Sequence, residues 1–535
     1  MKKTVLIILS IAINYFTSLG QGVNFTLLLE PFTISGIPGV QSYAYGQFED
    51  KWLIVGGRID GLHQRQPFSS FDILGENKKL LVIAPQTGQF WEAPLLSLPI
   101  SIQEQLSSTN MEYFQQDSIL YCIGGYGYSN TSADHITYNS LTAINVPLVI
   151  NAIINGMDFS TGFRQITDPQ FAVTGGSLDK INNTWYIFGG QKFDGSYNPM
   201  NHPTFTQEYT NQIRRFKLND NGTDIIITHF PDLTDAENLH RRDLNVVPQI
   251  LPNGEEGITA FSGVFQQDVD LPFLNCVNID SNGYTVNDTF SQYYNHYHCA
   301  GLPMYSETEN AMHTIFFGGI SQFYESGGIL IQDDNVPFVK TIARVTRNES
   351  GLMTEFKMPV EMPELSGSSA ELILTQNIPV YNNNVIQFDA LMEDTSLVGY
   401  IFGGINSTDE NIFFTNTGTE SIANTTLYKV YVIKNIPVEI ASSNAENSGS
   451  LQMQIYPNPS DGKFVIKFNL RNKSDITLTV NDLDGNEIKR QTFNTLPAGE
   501  NRLIYTTGAE LKDAIYIITI ETPYERTTQK VNLTR

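Results

Sequence analysis

The phrase Trp185-Tyr186-Ile187-Phe188-Gly189-Gly190, a run of aromatic and β-branched residues that ends in two glycines, decides the fold of this chain because it recurs. Close copies occur at 52–57, 120–125, 314–319 and 399–404, and a weaker copy at 258–263 has serine in place of the first glycine. Aromatic and β-branched residues favour strands, and paired glycines permit positive φ and the close approach of another backbone. Six strands that end alike, at intervals of 56 to 85 residues, indicate an internal repeat.

A second marker, a turn signal between two strand-like runs, follows four of these six phrases. The turns lie at 85–88, 219–222, 280–283 and 348–351, and each ends in glycine. Three of them come 31 or 32 residues after the Gly-Gly pair of their repeat. Each repeat therefore predicts four strands: one before the Gly-Gly strand, the Gly-Gly strand itself, and a hairpin.

These repeats resemble the kelch family of β-propellers, and the Gly-Gly strands carry the resemblance. It implies an all-β fold, a six-bladed kelch-like β-propeller that occupies residues 22–440. The sixth repeat offers only Thr426–Ile433 as a third strand, whereas the strand-like stretch Asn24–Glu30 belongs to no repeat. We therefore expect the N-terminal strand to complete the sixth blade and close the ring.

Three phrases near the C-terminus resemble the C-terminal sorting domain of type IX secretion substrates (Por secretion). The phrases begin at Ile455, Val480 and Ala514, and the family pattern has glycine where this chain has Ala514. Their characteristic residues are Tyr456, Pro457, Asn458, Pro459, Gly462, Gly485 and Tyr516. The resemblance implies a small β-sandwich sorting domain over residues 451–535, after a linker at 441–450, with the type IX secretion machinery as its partner.

The first twenty residues have the pattern of a secretory signal peptide. Met1-Lys2-Lys3 precedes a short apolar run, and small residues lie before Gln21. No later stretch has 18 uninterrupted apolar residues, so the sequence predicts no transmembrane segment in the mature chain. The two ends together predict export to the periplasm, followed by secretion or display at the outer cell surface.

The composition excludes one class of partner and one source of stability. The formal charge of −24 opposes non-specific binding to nucleic acid. Three cysteines cannot form a disulfide framework, so a packed core must stabilise the protein. Cys276 and Cys299 are the pair that could still form a disulfide, and Cys122 lies in an apolar run that predicts a buried thiol.

Candidate ligand-binding residues fall in segments that the propeller topology brings to one face. Loops between strands 2 and 3 share a face with the loops that join successive blades, and loops on a rigid scaffold commonly carry binding residues. The candidates in these segments are Arg58, Asp60, His63 and Arg65 after the first Gly-Gly pair, Arg241, Arg242 and Asp243 before blade 4, and His296 and His298 before blade 5. A cluster of guanidinium, imidazole and aromatic groups suits a carboxylated sugar or an acidic peptide.

Several interpretations stay open at this stage. The arginines and aspartates could instead connect neighbouring blades, since buried charges are normally paired. His296 and His298 would face the same way on a strand, but they lack a third ligand, and the sequence predicts no metal and no cofactor. We expect a binding or scaffold module for glycan or protein. The alternatives are a carbohydrate-active enzyme (hydrolase, lyase or oxidase), whose catalytic residues the sequence does not identify, and an adhesin.

Overall fold

The computed structural model of the chain describes residues 25–66, 70–198, 204–434, 451, 453–460, 462–470, 472–482, 486–506, 512, 514–522 and 526–534. The segments 1–20 and 441–450, for which we expect a signal peptide and a linker, lie outside the described residues. The chain divides into two compact units, Met1–Pro437 and Val438–Arg535.

The first unit contains six blades, and four antiparallel strands form the body of each in the order that the repeats predict. Blade 1 contains Ala44–Phe48, Lys51–Val55, Lys79–Ala84 and Gln89–Pro94; blade 2, Glu112–Gln116, Ile119–Ile123, Ser140–Asn145 and Phe163–Thr167; blade 3, Ser177–Ile181, Thr184–Phe188, Gln212–Asp220 and Ile225–His229. Blade 4 contains Asn245–Ile250, Glu256–Phe261, Cys276–Ile279 and Tyr284–Asn287; blade 5, Gly301–Ser306, Ala311–Phe317, Thr341–Arg347 and Met353–Glu361. Blade 6 contains Leu365–Leu374, Thr395–Ser407 and Leu427–Lys434, and its outer strand is Phe25–Phe32. The six-bladed β-propeller is confirmed.

The N-terminal strand closes the ring as expected. All eight residues of Phe25–Phe32 pair antiparallel with Leu427–Lys434, so strands from the two ends of the propeller share one sheet. Phe25, Leu27 and Leu29 are buried in the core between blades 5 and 6. Without this pairing, the backbone groups along the edge of Leu427–Lys434 and along the N-terminal strand would both lack hydrogen-bond partners.

The paired glycines connect each blade to the next. The N–H of the second glycine donates to a carbonyl just before or at the start of the next blade in all six repeats. The bonds run from Gly57 to Ser108, Gly125 to Val173, Gly190 to Arg241, Gly263 to His296, Gly319 to Ser366 and Gly404 to Val40. A Cβ on the first glycine would lie within 2.6 Å of a backbone oxygen of the next blade in the five repeats that have glycine there. Both glycines also have positive φ, so the recurring phrase encodes the contact between blades.

Aromatic side chains of the Gly-Gly strands fill the spaces between blades. Trp52 packs on Tyr400 of blade 6, with ring centroids 5.4 Å apart. Trp185 packs on Phe114 and Tyr121 of blade 2, each at 5.3 Å. Cys122, Cys276 and Cys299 are buried free thiols, so Cys276 and Cys299 do not form the disulfide that the sequence left open.

Other elements extend this frame. The α-helices are Ile100–Gln105 and Val146–Ile154, and the short 3₁₀ helices are Ile73–Gly75, Leu95–Ser97, Ser160–Gly162, Pro169–Phe171 and Phe388–Ala390. Three hairpins project from the loops between strands 2 and 3: Tyr126–Ser129 with Asp134–Thr137, Gln191–Gly195 with Phe205–Tyr209, and Phe323–Ser326 with Ile329–Gln332. Short strands Leu233–Thr234, Ile386–Gln387 and Ser421–Ala423 pair at the margins of blades 3, 5 and 6. Within the described ranges, no helix has the length and apolar character to cross a membrane.

The second unit contains two sheets around one apolar core. One sheet consists of Met453–Tyr456, Lys463–Leu470 and Gly499–Thr506, and the other of Glu487–Leu496, Ser474–Asn481, Ile515–Glu521 and Arg526–Asn532. Phe464, Ile466, Leu478, Ile518 and Ile520 are among the buried side chains that both sheets contribute. This is the small β-sandwich that the resemblance of the C-terminal phrases implies.

Candidate functional site

A closed ring of backbone hydrogen bonds surrounds the central channel of the propeller. Each blade supplies one residue, and each N–H donates to the carbonyl of the residue from the preceding blade, at 2.7–3.2 Å. The six residues, which we call the neck, are Ser42, Asn110, Gly175, Asp243, His298 and Ser369. All of them except His298 have positive φ, which turns both peptide groups into the ring. The ring satisfies its own backbone groups, so the neck presents side chains to a ligand.

Above the neck, the channel opens into a cavity of about 490 Å³, which we call the mouth cavity. All six blades line it through their strand 2 to strand 3 loops and through the segments at or before their first strands. Below the neck, the channel continues as a narrower space of about 250 Å³. Five of the six neck residues line both spaces, so the neck is the boundary between them.

The structure brings most of the candidate residues together in the mouth cavity. Its lining includes Arg58, His63, Arg65, Arg242, Asp243 and His298. Aromatic side chains from several blades lie between them: Phe71, Tyr126, Phe193, Tyr197, Phe265, Tyr297, Phe413 and Phe414. The carboxylates of Asp243, Asp270 and Asp334 also line it, so the cavity combines guanidinium and carboxylate groups with apolar ring faces.

Arg58 has a structural role in this cavity. Its guanidinium binds the carboxylate of Asp60 through two nitrogens, and the Nε to Oδ1 distance is 2.7 Å. It also donates to the carbonyl oxygen of Asp72 at 2.9 Å. The side chain is only 5% exposed. Arg58 and Asp60 thus hold the long loop between strands 2 and 3 of blade 1 in place. The sequence left open that such pairs connect neighbouring blades, and this pair instead connects parts of a single loop.

Arg65 and Arg242 differ from Arg58 because they keep uncommitted donors. Arg65 lies over the ring of Phe414 at 4.4 Å, and its guanidinium has no ion pair within the described residues. Arg242 donates from Nε to the Tyr209 hydroxyl at 3.1 Å and from Nη1 to Asp243 Oδ2 at 3.2 Å. Its Nη2 has no protein partner among the residues that the structure describes, and its guanidinium lies 5.0 Å from the Phe265 centroid. Both side chains can therefore donate to an anionic group in the cavity.

His63 and His298 have opposite electrostatic environments. His63 packs between Phe71 and Tyr197, with centroid distances of 5.3 and 5.0 Å, and burial lowers its pKa to about 4. It is a neutral member of an aromatic wall. Burial also disfavours charge on His298, but the carboxylates of Glu371 and Asp243 outweigh this effect and raise its pKa. His298 Nε2 lies 3.3 Å from Glu371 Oε1.

Arg241 and His296 lie outside the mouth cavity, although we expected the whole cluster to crowd this rim. Arg241 is fully buried and donates to the carbonyl oxygens of Asn238, Ser262 and Asn275. His296 is fully buried between the carbonyl of Gln292 and the N–H of Gln322. The segment that contains His296 and His298 is not a strand, so the prediction that both imidazoles face one way was wrong. In the described part of the chain, no group of three His, Cys, Asp or Glu residues could hold a metal ion.

Sequence reasoning named Asp243 and His298 but missed the other four neck residues and most of the aromatic lining. Asn110 and Ser369 carry no charge, and Glu371 stands in an ordinary inner strand. Phe265, Phe413 and Phe414 come from loops of blades 4 and 6 that show no unusual composition. The available signal was positional, because each neck residue lies 14 to 20 residues before the first residue of the Gly-Gly pair, or of its Ser-Gly counterpart, in its own repeat, except in blade 6, where the interval is longer.

Two buried carboxyl groups beside the channel make the stability of the propeller sensitive to pH. Burial raises the pKa of Glu112 from 4.5 to about 8 and the pKa of Asp179 to about 7. Glu112 is 1% exposed and accepts the Gly176 N–H at 2.8 Å. The folded state therefore binds protons that the unfolded state releases, and stability falls as the pH rises from about 4.5 to 8.

We expect Glu112→Gln to remove the contribution of Glu112 to this loss. The amide oxygen of glutamine can still accept the Gly176 N–H, and the side chain stays neutral at every pH. The advantage of the variant over the parent in free energy of unfolding should grow by about 3–5 kcal/mol from pH 5 to pH 9. Urea unfolding at both pH values measures this. An equal difference between variant and parent at pH 5 and pH 9 would contradict the prediction, whatever its size.

Comparisons with known proteins identify the C-terminal unit and give distant likenesses for the rest. Residues 454–533 match the family model of the secretion system C-terminal sorting domain. The solved structures that resemble the chain include the following three. YjhT is 12% identical, with 74% of this chain and 97% of that chain covered at a TM-score of 0.40. RAG in complex with one melted and one unmelted RSS is 11% identical, with 76% and 99% covered at 0.39. An exo-1,5-alpha-L-arabinanase from a bovine ruminal metagenomic library is 7% identical, with 74% and 92% covered at 0.23.

A search of the curated proteins finds no match. Likenesses as distant as these three say nothing about a ligand or an activity. The chain is a six-bladed propeller followed by a secretion system C-terminal sorting domain.

Proposed function

We propose that the propeller is a binding module that holds an acidic saccharide in the mouth cavity, and that the sorting domain delivers it to the outer cell surface through the type IX machinery. The observation that carries the binding proposal is the pair of guanidinium groups with uncommitted donors, those of Arg65 and Arg242, beside aromatic rings. A carboxylate can accept two hydrogen bonds from one guanidinium, and sugar rings stack on aromatic faces.

Charge and geometry favour this ligand over a neutral sugar. Arg242 has its pKa raised: burial opposes the charged form, but Asp243 and neighbouring tyrosines more than compensate, so the group is cationic at every physiological pH. Arg65 lies over the partly exposed ring of Phe414. Arg242 has only its neighbour Asp243 as an ion-pair partner, and Arg65 has none among the described residues, so a carboxylate in the cavity can accept hydrogen bonds that these side chains do not make within the protein.

An array of acidic and neutral glycans, followed by calorimetry on each acidic glycan that binds, tests the proposal. Arg65→Gln and Arg242→Gln should each lower the affinity by about 10- to 100-fold, since a hydrogen bond to a charged group contributes about 1.5–3 kcal/mol. Arg215→Gln is the matched control, because Arg215 donates only to the carbonyl of Pro231 on the outside of blade 3. Equal affinities for the two cavity variants and the parent would refute the site.

A carbohydrate-active enzyme is the second candidate, and one contact favours it. His298 lies beside Glu371 at the floor of the mouth cavity, and a histidine oriented by a carboxylate is a common general acid–base arrangement. Release of reducing sugar from a bound glycan, lost in His298→Gln while binding persists, would establish this candidate. Binding without turnover by the parent protein would leave the binding module.

A further inference from the structure

The mouth cavity is enclosed on every side around the channel axis. Blade 1 contributes Leu62 and Phe71 to its wall, blade 3 contributes Phe193 and Tyr197, and the loops of the other four blades complete the circle. A groove that crossed the face of the propeller would not be lined by two opposite blades, whereas all six blades line this cavity. A chain molecule can therefore enter this cavity only along the axis.

The bottom of the cavity is polar and has unused hydrogen-bonding groups. Within the described residues, the side-chain amide of Asn110 and the hydroxyl of Ser369 have no protein partner, although both belong to the neck. Asp243 and His298 lie in the same ring. Arg242 precedes Asp243 in the chain, so a cationic donor stands directly beside the neck. A polar end group that reaches the neck thus meets donors and acceptors together.

The size of the cavity limits what can be bound. A volume of about 490 Å³ lies within the range of roughly 300–1,000 Å³ that is usual for small-molecule sites. It accommodates about one or two sugar rings. The narrower space below the neck, about 250 Å³, has the buried carboxyl groups of Glu112 and Asp179 along its first strands. The neck, a closed ring of backbone hydrogen bonds, separates the mouth cavity from this smaller space, so the neck is where the end of a chain stops.

From this enclosure, polar floor and volume, we infer that the propeller binds the ends of acidic saccharide chains, with the terminal unit on the neck and its carboxylate at Arg242. The inference rests on the proposed function, because it assigns a binding mode to the same cavity. It distinguishes the protein from modules that grip the middle of a polysaccharide. The number of binding sites on a polymer then equals its number of ends, whatever its length.

Calorimetry with oligogalacturonides and oligoguluronates of one to eight units tests the inference on the full chain. We expect the molar affinity to rise from one unit to two and then to stay constant within about threefold. A bulky substituent on one end of the octamer should abolish binding, and the same substituent on the other end should leave it unchanged. Affinity that keeps rising with length, with both capped octamers still bound, would overturn the inference while the proposed function stands. Binding of neither series would instead overturn the proposed function for uronic acids.

A neck variant separates a specific floor contact from simple confinement. Asn110→Ser combined with Ser369→Ala replaces the amide by a shorter hydroxyl and removes the hydroxyl of Ser369, and serine tolerates the positive φ of this ring at Ser42 and Ser369. The double variant should bind the disaccharide about tenfold more weakly, with unchanged thermal unfolding. An unchanged affinity would show that the terminal unit does not rest on the neck.

Discussion

Gly124→Ala is expected to lower the free energy of unfolding of the propeller by about 3–5 kcal/mol. A Cβ at this position would overlap the carbonyl oxygen of Val173 and lie 3.0 Å from the Phe171 oxygen. The added methyl group must push the next blade away, and overpacking of this kind costs about 1–3 kcal/mol or more. The φ of +65° adds about 1–2 kcal/mol for any residue with a Cβ.

Gly222→Ala provides the matched control for this variant. Gly222 also has positive φ, +88°, but it lies in a turn between strands 3 and 4 where a Cβ would meet nothing within 4 Å. It should cost about 1 kcal/mol. Trp52, Trp91 and Trp185 are the three tryptophans of the chain, and all lie in the propeller, so urea unfolding followed by tryptophan emission reports on this unit. Equal losses for the two variants would show that the paired glycines serve the local turn and not the contact between blades.

The repeat could be predicted from the sequence because its cause is local and recurs six times. The same carbonyl approaches the same glycine in each blade, so the chain keeps glycine at that position. The fourth repeat shows how much variation the contact tolerates. Ser262 has φ of +46°, and the adjoining bond from Gly263 to His296 is the longest of the six, at 3.1 Å. The strand that closes the ring could also be predicted from the repeats. The sixth repeat lacks a fourth strand and the N-terminal strand belongs to no repeat, so the N-terminal strand fills the missing place in blade 6.

The insertions could not be predicted in the same way. The helix Val146–Ile154 occurs in one blade only, and the hairpins between strands 2 and 3, such as Tyr126–Ser129 with Asp134–Thr137, occur in three blades with unrelated sequences, so no repeated phrase marks them. The helix is capped by Asn145, which accepts the Leu148 N–H, but Val, Ile and Leu dominate its sequence and equally suit a buried strand. The candidate site depends on such single features, since its aromatic wall comes from loops of different length in each blade.

The prediction of the site from the sequence is limited by adjacent residues in irregular segments. Arg241 and Arg242 were equivalent candidates in the sequence, because a segment without helical or strand periodicity does not show which side chain faces inward. The structure turns Arg241 into the body of blade 4 and Arg242 toward the mouth cavity. Both arginines lie in one short segment, and only the backbone path of Asn238–Asp243 separates the buried guanidinium from the accessible one.

Arg241→Ala is accordingly expected to destabilise the propeller by about 3–5 kcal/mol, the effect of a buried hydrogen-bonding centre and not of a ligand contact. The guanidinium donates to three backbone carbonyls and to Asn275 Oδ1, and it stacks on Phe273 at 3.9 Å. Its removal leaves buried acceptors without donors, at about 1–3 kcal/mol each, and opens a cavity under the ring.

Arg242→Ala, one residue later, should cost less than about 1.5 kcal/mol, because Arg242 is partly exposed and its side chain bonds only to Tyr209 and Asp243. The two variants are compared by urea unfolding and by the glycan calorimetry. If Arg241→Ala unfolded at the same urea concentration as the parent but lost the acidic glycan, the assignment of the two arginines would have to be exchanged.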